Sequence, residues 1–167
     1  MIARSYIESN LKQLDKLYLN AITLKSKLYY SKLAMLELCG WIEESMDDIV
    51  QKCANRSLKS QANKNYIATQ IIKPTYGFEY KKHFMKMLTY VVGLINIEKL
   101  EDKLDPLKKA RLESALGTLK SARNREAHTH LKGVTRQVDA PSITINLFNH
   151  VFDGLKDIEL HLKELSY

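Results

Sequence analysis

Helix breakers are scarce in this chain. Three prolines and six glycines among 167 residues leave room for few turns and point to long elements. Long apolar runs are missing as well. None reaches the ~18 residues that a membrane span needs, so no transmembrane helix and no membrane partner are expected. The N-terminal stretch "MIARSYIESNLKQLDKL" lacks the continuous apolar core of a secretory signal. A cytoplasmic location is the expectation. Cysteine is rare too. Cys39 and Cys53 fall in one helical stretch, which separates them by about 21 Å. That is beyond disulfide reach within the helix, and both read as small buried apolar residues in a reducing compartment. No strand pattern of any length is present.

What is there is a globular helical chain. Apolar residues make up 45% of it, enough for one domain spanning 1–167 with a sizeable core. Ile7, Leu11, Leu14, Tyr18 and Ile22 recur at helical spacing and predict a first helix over about 4–26. Leu33, Leu36, Trp41, Met46, Ile49 and Cys53 continue in a second long helix, with a bend expected near Tyr29–Ser31. A shorter helix fits 60–72 and stops at Pro74. Another runs from about Glu79 to Asn96, or on to Lys103. Asp105 followed by Pro106 reads as a cap and first helical residue. Gly133 ends that helix, and Pro141 or Ser142 starts the last one. The expected fold class is all-α, a compact bundle of about five helices.

Charge is uneven. The net +7 peaks at +5 over residues 105–136, whereas 137–167 carry −3. A basic field there favours phosphate-bearing partners. An acidic cluster, Glu43, Glu44, Asp47 and Asp48, lies on neighbouring faces of the second helix. It reads as a solvated face, with a divalent-metal site or a dimer contact to the basic region as alternatives. "TYGFEYKKHF" interleaves Tyr76, Phe78 and Tyr80 with Lys81, Lys82 and His83. Such aromatics either plug a core or stack unpaired bases.

The stretch "SARNREAHTHLKG", residues 121–133, falls on the basic helix. It holds Arg123, Asn124, Arg125, His128 and His130, two of the five histidines in the chain. Asn124 and His128 share a helix face. Arg123 and His128 lie about 140° apart on a regular helix. Metal-free RNA cleavage needs a group to take the 2′-OH proton, a cation to neutralise the crowded phosphate, and a proton for the leaving oxygen. Histidine titrates near neutral pH and serves the proton transfers. Arginine offers a fixed charge and forked donors to phosphate. His128 and His130 stand two apart and would face different ways on a helix, with no third ligand near in sequence. Neither a metal nor another cofactor is expected.

"RNREAH" resembles the Arg-x4–6-His signature of the HEPN superfamily. These are compact α-helical bundles, many of them metal-independent endoribonucleases of toxin–antitoxin, phage-defence and CRISPR-associated systems. The likeness extends over about 105–165: a motif near the end of the penultimate long helix, a short loop, and a final amphipathic helix. The "AHTH…DAPS" continuation looks most like the RiboL-PSP type. The resemblance implies Arg123 and His128 as the catalytic pair, Asn124 as a polar helper, and a homodimer in which two motifs form one composite site. His130 satisfies an Arg-x6-His spacing and is a candidate assisting residue, or a helix-end residue favoured by the dipole. Some HEPN toxins carry Arg-x4-His-x-Tyr, the tyrosine being modified by a nucleotidyltransferase antitoxin. His130 stands at that position here, which points to another antitoxin or regulatory partner, or to none. Lys120, Arg125, Lys132 and Arg136 are candidate contacts to RNA phosphates. The rival readings are a non-catalytic RNA-, nucleotide- or partner-binding module, and a helical interaction protein without RNA affinity.

Overall fold

A computed structural model of the chain describes residues 2–127 and 138–167. Seven α-helices and no strand occur among the described residues. The all-α class expected from the apolar spacing is therefore observed. The helix count is higher than the expected five or so, for local reasons.

The first helix, α1 (Ser5–Asn20), stops six residues short of the expected end, because the next helix is nucleated early. Thr23 accepts the Ser26 amide at its Oγ1, 3.1 Å away, and caps α2 (Leu24–Ser57). No bend occurs at Tyr29–Ser31: α2 runs unbroken for 34 residues. The expected 60–72 helix is α3 (Gln61–Tyr66) continued by a π-helical turn, Ile67–Ile72. A second π-helical turn, Tyr80–Met85, opens into α4 (Lys86–Val92). The helix expected over 79–103 is broken at Gly93, whose φ of 78° is the left-handed backbone that glycine accepts most readily. Beyond it lies α5 (Leu94–Lys103).

Two further helix starts follow the sequence signals, and the expected stop at Gly133 lies outside the described residues. Asp105 Oδ1 accepts the amides of Leu107 and Lys108 at 2.8 and 3.1 Å, capping α6 (Pro106–Ala127) with Pro106 in its first turn. Pro141 starts α7 (Pro141–Glu164).

The core lies where α7 is packed by α1, α2 and α6. Leu38, Ile42 and Ile49 of α2, Leu112 and Leu116 of α6, and Phe148, Leu155 and Ile158 of α7 are all buried. Trp41 ties in the N-terminus, donating its indole N–H to the Ala3 carbonyl at 2.9 Å while its ring meets Phe148 edge-on at 5.2 Å. Cys39 and Cys53 are free and buried, as their helical placement suggested. Burial pushes their thiols up to about 12 and about 11.

Gly154 sets the approach of α7 to α6. A Cβ there would sit 2.7 Å from Leu112 Cβ, too close to coexist, whereas nothing lies within 4 Å of one at Gly117. The two glycines should respond oppositely to alanine. Gly154→Ala is expected to destabilise the chain by about 1–3 kcal/mol through overpacking. Gly117→Ala, on an exposed helical face, should stabilise it by up to ~1 kcal/mol through helix propensity. Urea unfolding of both variants measures this, and equal signs would refute the tight crossing.

Candidate active site

The basic region is organised by α6, whose apolar residues Leu112, Ala115, Leu116 and Leu119 are buried. That anchoring leaves Lys120, Arg123 and Asn124 at its surface. Arg123 is half-buried. Its Nη1 lies 2.6 Å from Glu43 Oε1 on α2, and its guanidinium carbon is 5.6 Å from the centre of the Phe78 ring. Carboxylate on one side and aromatic face on the other fix the fork in place. Asn124 is exposed and forms no hydrogen bond among the described residues.

The neighbouring basic residues are also engaged. Lys120 Nζ lies 2.6 Å from Glu79 Oε1. Arg125 Nε lies 2.9 Å from Glu126 Oε1. Glu126 is buried, and its second oxygen, Oε2, has no hydrogen-bond partner among the described residues. His128, His130, Lys132 and Arg136 lie outside the described residues. The structure thus places Arg123, Asn124, Lys120 and Arg125 of the eight residues singled out from the sequence, and brings Arg123 and Lys120 to one side of α6.

Of the acidic cluster, Glu43 belongs to this site. Glu43 pairs with Arg123 inside the same chain, whereas the sequence suggests a solvated face, a divalent-metal site or a contact across a dimer. Asp48 bonds Lys52 at 3.1 Å. Among the described residues, no three His, Cys, Asp or Glu side chains gather in a way that could hold a metal ion.

Two further groups come from the 73–79 loop and the π-helical turn after it. Phe78 and Tyr80 are buried and plug the core, and only Tyr76 remains open to stacking, at 82% exposure. The Tyr80 hydroxyl donates to Glu101 Oε1 at 2.8 Å. His83 accepts the Glu79 amide at its Nδ1, 3.1 Å away, and the same nitrogen is 3.8 Å from Glu79 Oε2. Burial holds the His83 pKa below its ordinary value. Lys82 and Lys120 push the same way, and Glu79 and Glu43 oppose them. Glu43 and Lys120 are themselves the partners of Arg123 and Glu79. Sequence reading had taken His83 only as part of a possible stacking surface. Nothing in its local spacing links residue 83 to residue 123, since the link runs through α2 and the loop. Beside this cluster an open groove of about 410 Å³ is lined by Glu79, Lys81, Lys82, Glu113, Lys120 and Ser121, among others.

No family model, no curated protein and no solved structure matches the chain.

Asp47, one turn from Glu43, offers a separable test of the electrostatics. Burial, then Glu43, Asp48 and Glu44, push its carboxyl up to about 6 from an ordinary 3.8. A raised carboxyl favours the protonated folded state. The stability linked to it is present at low pH and lost as pH rises through about 4 to 6. Asp47→Asn should therefore raise stability at pH 7.5 by on the order of 1–2 kcal/mol, discounted for the partial exposure of the group. At pH 3.5 the gain should nearly vanish. Denaturation curves at the two pH values check this, and a pH-independent gain would count against it.

Proposed function

We propose that this chain is a metal-independent endoribonuclease of HEPN type, acting as a toxin or antiphage effector in the cytoplasm. The observation that carries the reading is the Arg-Asn-x3-His run at the end of a basic helix, with Arg123 fixed between Glu43 and Phe78 yet one-third exposed. In this reading Arg123 neutralises the charge that builds on the phosphate. His128 takes the 2′-OH proton, or gives one to the leaving oxygen. The 2′ oxygen attacks phosphorus and the bond to the 5′ oxygen breaks. The products are a 2′,3′-cyclic phosphate and a 5′-OH. Asn124, whose side chain has no hydrogen-bond partner among the described residues, orients the phosphate or the histidine. His130 assists. Lys120, Arg125, Lys132 and Arg136 contact neighbouring phosphates and make affinity fall with salt. A second copy of the chain completes a composite site, and an antitoxin or regulatory partner restrains it.

One observation favours a second reading, a non-catalytic binding module for RNA, a nucleotide or a partner protein. Arg123, Lys120 and Arg125 each already hold a carboxylate. A phosphate has to displace or share these partners. The Arg123–Glu43 and Lys120–Glu79 pairs are partly exposed, and surface pairs are worth only about 0.2–1 kcal/mol, so the competition at those two cations is modest and the nuclease reading stands first.

Purified protein incubated in EDTA with total RNA and with tRNA separates the two. Wild type should cut and leave cyclic-phosphate ends. Arg123→Ala and His128→Ala should each lower the rate at least ~100-fold. Tight binding with intact RNA would move the assignment to the binding module. Cleavage surviving in His128→Ala would remove the basis of the nuclease reading.

A further inference from the structure

His83 is held more closely than a surface histidine needs to be. A backbone amide can only donate, so the Nδ1 that accepts the Glu79 amide is unprotonated. The neutral ring then carries its proton on Nε2, and Nε2 has no hydrogen-bond partner among the described residues. Gly77 leaves the room that the ring occupies. Its φ is 127°, and a Cβ there would sit 2.8 Å from His83 Cε1. The glycine thus answers two needs at once, a left-handed backbone and a close approach to the imidazole. The turn carrying His83 is π-helical, a departure from regular helix that is frequent at functional sites.

The surroundings connect this ring to Arg123. Phe78, under the Arg123 guanidinium, sits between Gly77 and Glu79 in sequence, and those two hold the imidazole. Lys120 binds Glu79, and Glu43 binds Arg123. The charges cancel in pairs, Arg123 with Glu43 and Lys120 with Glu79. Into such a site a neutral donor brings a hydrogen bond to an anion without another charge to desolvate.

We propose that His83 Nε2–H is a neutral hydrogen-bond donor to a phosphate oxygen seated at Arg123, so that residues 77–83 form part of the RNA phosphate subsite. This rests on the reading of Arg123 as a phosphate-binding residue. His83 is distinct in role from His128. It donates a bond and carries no proton from the 2′-OH.

The test uses the full chain and a short 2′-O-methyl oligoribonucleotide, which lacks the attacking 2′-OH and cannot be cut by that route. Long-range 1H–15N correlation of the histidine side chains at pH 7.5 should show the Nε2–H tautomer for His83. The oligonucleotide should shift that Nε2 signal saturably, and inorganic phosphate should shift it in the same direction if a lone phosphate suffices. His83→Phe, which keeps an aromatic ring against Gly77 and removes the donor, should weaken oligonucleotide binding about three- to tenfold, the loss of one net hydrogen bond. His83→Gln, which restores an N–H donor, should recover part of it. An Nδ1–H tautomer, or an Nε2 signal unmoved at saturating oligonucleotide, overturns the proposal. So does a loss in Arg123→Ala with none in a folded His83→Phe, and that result leaves the ribonuclease reading intact. Failure of wild type to bind the oligonucleotide overturns both.

Discussion

The close crossing of α7 on α6 is the constraint on which the rest depends. Gly154 lets the helix axes approach until the Leu112 side chain fills the place where a Cβ would be. That contact fixes the rotation of α6 about its axis. With Leu112, Leu116 and Leu119 turned inward, helical geometry carries Lys120 and Arg123, three apart, to the opposite boundary, facing α2 and the 73–79 loop. A small rotation of α6 would separate Arg123 from both Glu43 and Phe78.

The site is consequently built from three parts of the chain far apart in sequence. α6 supplies the cations, α2 the carboxylate Glu43, and the loop and π-helical turn supply Phe78, Glu79 and His83. Each cation has a carboxylate within 3 Å, so the positive field expected from the local +5 charge is largely neutralised where Arg123 and Lys120 stand. This shifts weight from bulk attraction toward placement. A phosphate bound there would be held by the fork of Arg123 and by aimed donors more than by net charge.

Much of the architecture was legible beforehand because it rests on local rules. Asp105–Pro106 and Pro141 mark helix starts through capping and fixed φ, and the apolar spacing of the first two helices picks out Ile7, Leu11, Leu14, Met46, Ile49 and Cys53 of the core, although Ile22 and Leu33 of the same pattern are exposed. What escaped was also local in origin but weak in signal. Thr23 starts α2 early through one side-chain hydrogen bond, which removes the expected bend at residues 29–31. Gly93 could have been tolerated inside a helix, yet it breaks one. The π-helical turns have no distinctive composition at all.

Sequence alone determined the helical class, the basic helix and the position of Arg123 and Asn124 on it, because periodicity, caps and charge are properties of neighbouring residues. Only the tertiary structure decided that Glu43 of an apparently solvated acidic face belongs to Arg123, that Phe78 lies under the guanidinium, and that His83 Nδ1 accepts the Glu79 amide. Those facts depend on how far α6 can approach α7 and how the 73–79 loop turns at Gly77. Both are set by contacts between residues tens of positions apart, and no spacing within a single helix encodes them.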